Sequence, residues 1–413
     1  MYITEKNLLK YAICANAVYI LLLFLFRPNG INFEKLAITS FLVFSVSGVF
    51  YLCFRNRKLL KDIPKTAKNI FYILIFWSAI VVMRGFSLNI QDWVTNFGNV
   101  YMALAWFSPI VLILGIKVEN WKPVFKAIKF MFLVMLFSIV FLPSYNAEGG
   151  KLKTEWTWLL RPINFIFIIG INRFNLIGRV IIYLSFALYI VIAIFTEQRI
   201  EFIYLSFVFF FLGLIKLKHI RIKKSVVKYI IIGFVILLFL VFTYGYENIS
   251  LLINKVIEFD DSRTFLFQEL FTDLSRAEFY FGRGSLGTYY SPFFENIQRY
   301  LDYMGIIWYT QDSPTRITVE VGYLQMILKG GMLLFLLTFS MMIYAVYLAI
   351  FRSKNSFVRR LGIYILLITL LSLISFRPAF TPTFILLWMS IGTVLSKRNR
   401  NMSDEEINQL IKI

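Results

Sequence analysis

The chain is poor in the residues that most enzymes use as nucleophiles, metal ligands and proton shuttles. It holds two cysteines and one histidine in 413 residues. Cys14 and Cys53 both fall in long apolar runs, which excludes an extracytoplasmic disulfide framework and argues against a thiol nucleophile. His219 stands in the basic segment KLKHIRIKK, the setting of a solvated side chain. A zinc site of His and Cys ligands cannot be assembled from this inventory, and neither can a Ser-His-Asp triad away from that segment. Charge is scarce too: 16% of residues are Asp, Glu, Lys or Arg, whereas 59% are apolar or aromatic and 45 are Phe. Such a composition is too apolar for a soluble domain with a polar surface and is that of a membrane protein.

A hydrocarbon layer ~30 Å thick is crossed by about 20 apolar residues in a helix. Read in windows of that size, the chain has candidate spans near 8–26, 36–54, 69–84, 97–116, 125–143, 157–171, 180–196, 200–215, 227–244, 330–351, 361–376 and 383–396. The expected fold is therefore an all-α polytopic integral membrane protein, a single membrane domain over 1–413 with about twelve transmembrane helices. The first apolar run lacks a small-residue cleavage site and reads as a retained span. No internal repeat is evident.

Of the 43 Lys and Arg, most lie in alternate loops: 1–10, 55–69, 117–129, 172–179, 216–228, 352–360 and 397–413. Cytoplasmic loops carry that excess, so both termini are expected in the cytoplasm, and the net charge of +20 is a topology signal. Because the basic residues form no single stripe, no nucleic-acid partner is expected.

One connection differs from the others. Residues 245–317, between the ninth and tenth spans, fall on the outer side and carry ten Asp or Glu against six Lys or Arg. A loop that long in a compact protein is usually functional. SRTFLFQELFTDLSR has the apolar spacing of an amphipathic helix, with Asp260, Asp261 and Ser262 as N-cap candidates; FGRGSLG is a glycine-punctuated turn. YYSPFFENIQRYLDYMGIIWY is aromatic enough for a lipid interface or a sugar cleft. After the loop, Arg316 and Glu320 directly precede an apolar run that Lys329-Gly330-Gly331 interrupts.

Arg84, Arg161, Arg199 and Arg377 stand at the outer ends of predicted spans, against the charge bias of the rest of the chain. A guanidinium is a planar five-donor fork that stays charged and binds phosphate bidentately, so an anion is the ligand these positions fit.

The order of these features resembles the O-antigen polymerase and ligase superfamily of bacterial envelope proteins. The residues that carry the resemblance are TEQRIEFIYL with Arg199, DDSRTFLFQELF with Arg263, YFGRGSLGTYY with Arg283, and VEVGYLQMILKGG from Glu320 to Gly331. In the ligase branch the position of Glu320 is commonly a histidine. Here it is a carboxylate, so the chain is similar rather to the polymerases, with a ligase-like glycan transferase or a flippase of the same glycan as the alternatives.

The resemblance implies transfer of a growing glycan from an undecaprenyl diphosphate carrier to a hydroxyl of the next lipid-linked oligosaccharide, at the outer face of a bacterial cytoplasmic (inner) membrane. The product would be O-antigen, capsule or exopolysaccharide, and the partners would be the lipid-linked substrate, the bilayer and a chain-length-regulating membrane protein. The reaction needs charge neutralisation on the leaving diphosphate and a base for the acceptor hydroxyl. The expected diphosphate or substrate ligands are Arg199, Arg263, Arg283, Arg316, Arg377, Arg161 and Arg84; the expected base is Glu320, with Asp312 second. No metal or other cofactor is implied.

The topology is testable. Single cysteines placed at Asp302 and at Lys223 in a background without Cys14 and Cys53 should differ, only the former reacting with an impermeant thiol reagent on intact cells. Labelling of Lys223 alone would invert the orientation.

Overall fold

A computed structural model describes residues 4–26, 33–138, 155–195, 199–216, 264–293, 295–296 and 314–412. The described chain is predominantly helical. In order, the helices are α1 (Glu5–Phe26), α2 (Phe33–Arg55), α3 (Lys65–Met83), α4 (Ile90–Gly98), α5 (Ala103–Phe107), α6 (Leu112–Gly115), α7 (Trp121–Ser138), α8 (Glu155–Leu160), α9 (Pro162–Ile169), α10 (Leu176–Phe195), α11 (Arg199–Lys216), α12 (Thr264–Asp273), α13 (Arg276–Phe281), α14 (Gly322–Arg352), α15 (Ser356–Ser372), α16 (Pro382–Leu395), α17 (Lys397–Asn401) and α18 (Asp404–Ile411). One two-residue antiparallel ladder, Tyr289–Tyr290 against Thr315–Arg316, departs from an all-helical fold.

Five described helices are long and apolar enough to cross a membrane: Glu5–Leu23, Phe33–Arg55, Lys65–Met83, Leu176–Ala193 and Gly322–Arg352. Their outward faces keep large apolar side chains uncovered, among them Phe54, Phe76 and Tyr183. Such continuous apolar exposure suits lipid as solvent. Trp158–Ile169, Ile200–Gly213 and Pro382–Leu395 are apolar but shorter. The predicted ninth span, 227–244, lies outside the described residues.

Over the predicted span 97–116 the chain forms a broken unit. Ile90–Gly98 and Ala103–Gly115 meet at a bend of 46°. Asn96 and Asn99 make the break tolerable: the Asn96 Oδ1 accepts from Ala103 N at 3.2 Å and the Asn99 Oδ1 from Tyr101 N at 2.9 Å. Side-chain amides thus replace the ladder bonds lost at the break. Pro109 then removes one more ladder donor, and a 3-10 turn, Ser108–Val111, takes up the strain.

The core is aromatic and close-packed. Trp121 stacks on Phe165 with centroids 5.3 Å apart, and Phe165 meets Tyr364 edge-on at 4.8 Å. Beside it α16 crosses α6 with backbones touching. A Cβ on Gly392 would lie 1.8 Å from the Leu112 carbonyl oxygen, and one on Gly115 would lie 1.9 Å from that of Met389. The Thr393 hydroxyl donates to the Gly115 carbonyl at 2.6 Å, so the small residues permit a cross-helix hydrogen bond as well as contact.

This crossing generates a paired prediction. Gly392→Ala must push the helices apart and should lower the melting temperature of detergent-purified protein, with overpacking costing roughly 1–3 kcal/mol. Gly213→Ala, where nothing lies within 4 Å of the new methyl, should leave it unchanged or slightly raised. Equal melting temperatures would remove the backbone contact as the reason for glycine at 392.

Candidate functional site

The site is built where helices stop short. Arg161 sits at the break between α8 and α9, with Pro162 opening the second helix. Proline cannot donate to the preceding turn, so the chain bends at Arg161. The Arg161 guanidinium lies 4.5 Å from the Phe376 ring centroid, and its Nε donates to the Glu201 Oε1 at 2.8 Å. Its Nη2 donates to that same oxygen. Glu201, on the first turn of α11, is fully buried and takes a further hydrogen bond on Oε2 from the Tyr189 hydroxyl. That hydroxyl accepts from Asn164 Nδ2 at 3.3 Å.

Arg377 follows Phe376 in the turn between α15 and α16. Its guanidinium lies 3.8 Å from the Tyr101 ring centroid, and Tyr101 meets Trp158 edge-on at 5.3 Å. Tyr101 is also within electrostatic range of Arg161. Arg161 on the Phe376 ring and Arg377, the next residue, on the Tyr101 ring thus make an aromatic cage around this turn. Arg161 has donors left over after Glu201, and Arg377 has no hydrogen-bonding or ion-pair partner among the described residues. Pro378, the next residue, lines a small apolar cleft with Leu74, Trp106, Met326, Phe384 and Trp388.

Glu320 adjoins this cage through the backbone. A Cβ on Gly322 would lie 2.5 Å from the Phe376 carbonyl oxygen, so the start of α14 rests on the turn that carries Arg377. The helix α14 begins at Gly322, so Glu320 precedes it and is not on its first turn. The Gln325 side chain accepts from Val319 N at 2.7 Å and holds the approach extended. Glu320 is half exposed and paired with Arg316 at 3.3 Å.

The FGRGSLG turn closes the neighbouring side. In α14 Gly331 has φ 70° and ψ −175°, which interrupts the helix and frees carbonyls inside an apolar bundle. Each finds a donor. Arg283 N donates to Leu328 O at 2.7 Å, Gly284 N to Lys329 O at 2.9 Å, and Trp77 Nε1 to Gly330 O at 2.8 Å. The buried Lys329 ammonium donates to Gly287 O at 2.7 Å. Arg84, at the end of α3, donates to Phe281 O at 2.6 Å.

Arg283 departs from its expected role. Nε and Nη2 donate to the two Glu278 oxygens at 3.0 and 3.1 Å, Nη2 also to Asp273 O at 2.6 Å, and Nη1 to Thr288 O at 2.7 Å and to the Asp273 carboxylate. All five N–H donors are spent within the loop, leaving none for an external anion. The structure thus sets Arg161 and Arg377 on aromatic rings at the Phe376 turn, places Glu320 and Arg316 on the approach to the helix whose start rests on that turn, and makes Arg283 and Arg84 supports of the FGRGSLG turn. Arg199 opens α11, but its side chain, together with Arg263 and Asp312, lies outside the described residues. Glu201, Tyr189 and Lys329 were missed. A glutamate in the first turn of an apolar helix was the available signal for Glu201. Among the described residues no group of three or more His, Cys, Asp or Glu could hold a metal.

The turn has a pH signature. The hydrogen bonds from Arg283, reinforced by those from Ser275, hold the Glu278 carboxyl down at about 2. A depressed carboxylate stabilises the fold above its unfolded pKa of ~4.3 and loses that contribution as pH falls toward the folded value. The melting temperature is therefore expected to be level from neutral pH down to about 5 and to drop below about 4. Glu278→Gln should flatten part of that drop. An identical pH profile in the variant would remove Glu278 as a support of the turn.

No family model matches the chain, and neither curated proteins nor solved structures show a significant match to it.

Proposed function

We propose that this chain is an integral membrane glycosyltransferase that polymerises lipid-linked oligosaccharide repeat units into a surface polysaccharide, working at the outer face of a bacterial cytoplasmic membrane. In this reading the chain has twelve spans, cytoplasmic termini and the 245–317 loop outside. The observation that carries it is the pair Arg161 and Arg377: two guanidinium groups with donors to spare in one aromatic cage, beside a carboxylate and above an apolar cleft. The shape of that ensemble fits a polyprenyl diphosphate sugar, with its phosphates on the arginines, its first isoprenoid units in the cleft and its glycan toward Glu320.

The chemistry follows from the groups. The acceptor hydroxyl attacks the anomeric carbon of the donor glycan, and its proton passes to the Glu320 carboxylate. The bond from that carbon to the diphosphate oxygen breaks, and the diphosphate stays on the lipid with its charge on Arg161 and Arg377. Arg316 pairs with Glu320 until the acceptor displaces it. Asp312 is the alternative base and Arg199 and Arg263 are further candidate ligands. The buried Arg161–Glu201 pair is the one observation that favours transport of the same glycan, since transporters bury ion pairs between helices. A flippase would move the substrate without lengthening it.

Glu320→Gln separates the readings. Gln matches the size of Glu but cannot take the proton, a loss typically worth ~100- to 10,000-fold in rate. The purified variant, given lipid-linked repeat units, should bind them and form almost no polymer. Polymerisation within a few-fold of the parent would make Glu320 structural. Absence of polymer from the parent itself would overturn the enzyme reading.

A further inference from the structure

We infer that Glu201 is a positioning residue, which orients Arg161 to grip a phosphate, and that Tyr189 and Asn164 hold it in place. The inference rests on the anion-binding reading of Arg161 and Arg377 and deepens it.

The geometry is a chain of single-purpose contacts. Glu201 Oε1 receives both Nε and Nη2 of Arg161 from one side of the guanidinium, at 2.8 and 2.5 Å. Oε2 is held by the Tyr189 hydroxyl, which is in turn held by Asn164 at 3.3 Å. Glu201, Tyr189 and Asn164 are fully buried, on three different helices, so the carboxylate cannot rotate without opening the bundle. The Phe376 ring 4.5 Å away fixes the plane of the guanidinium. What remains of Arg161 is one edge, Nη1 and the second hydrogen of Nη2, in a side chain 17% exposed.

Pairing for stability alone is a poor account of this arrangement. A buried ion pair contributes little over apolar residues of the same volume, because both charges must be stripped of water. An ion pair serving only as charge balance would also leave Arg377 unexplained, since that side chain shares the cage without a described acceptor. A guanidinium fixed along one edge and open along the other is a pre-oriented fork, which binds a phosphate with less ordering cost than a free one.

The two accounts predict opposite signs. If Glu201 only neutralises Arg161, then Glu201→Gln raises the local positive potential and strengthens anion binding. If Glu201 positions Arg161, the same change loosens the fork and weakens binding despite the gain in potential. The probe is inorganic pyrophosphate, titrated calorimetrically into the purified full-length protein. The expected result is about a tenfold weaker affinity for Glu201→Gln, partly restored in Glu201→Asp, with Arg161→Ala losing binding altogether. Unchanged or tighter binding by folded Glu201→Gln overturns the inference. Should that variant fail to fold, Tyr189→Phe decides. It leaves the ion pair intact and frees Oε2, so a loss of twofold or more supports the inference and no change overturns it. Because pyrophosphate binding is read without turnover, the outcome is independent of polymer formation. If neither the parent nor any variant binds pyrophosphate, the anion site itself is wrong, and the inference falls with it.

Discussion

The break at Gly330-Gly331 is the constraint on which the loop-bearing end of this molecule depends. Interrupting a helix inside an apolar bundle leaves carbonyls that water cannot reach, and each unmet one costs several kcal/mol. Here Leu328, Lys329 and Gly330 pass their carbonyls to Arg283 N, Gly284 N and the Trp77 indole. The FGRGSLG turn is therefore a replacement for one turn of helix hydrogen bonds, supplied from forty-odd residues upstream. Position 331 calls for glycine because its φ is 70° and a Cβ there would lie 2.1 Å from the Tyr280 carbonyl oxygen. The five-donor knot around Arg283 is what keeps the turn in the shape that this exchange needs.

From that exchange the position of the site follows. The loop helix α12 packs Leu266 and Leu270 against Val319, Val321, Leu324 and Leu328, forming a small second core over the start of α14. This fixes the extended approach that carries Arg316 and Glu320, and Gly322 seats it on the Phe376 carbonyl. The cation cage lies on the same turn. Glu320, the two arginines and the cleft are thus tied to one turn of backbone, through Gly322 and Phe376.

Some of this was open to reading along the chain and some was not. Apolar runs locate α1, α2, α3, α10 and α14 because hydrocarbon thickness imposes a length that composition must meet. The Gly-Gly interruption was visible too, as was the amphipathic pattern of 264–273. The bend within 90–115 was not, because it depends on Asn96 and Asn99 turning their side chains back onto nearby backbone, a choice that polar residues make only when packing allows. Arginines at outer helix ends could be counted, yet their roles could not be sorted. Arg283 and Arg161 look alike in a string of letters. One spends every donor on Asp273, Glu278 and Thr288, and the other keeps an edge free.

The sequence alone determined that this is a helical membrane protein, because composition and run length are local properties that the bilayer reads directly. It determined as well which chemistry-bearing residue types were scarce, since two cysteines and one histidine leave mainly arginine, lysine and carboxylates. Only the tertiary structure decided which arginine meets which carboxylate. Arg161 and Glu201 are forty residues apart and on separate helices, and nothing in either neighbourhood specifies the other. Their pairing comes from how α9, α10 and α11 pack, because a charge taken out of water must find its partner wherever the fold brings one within reach.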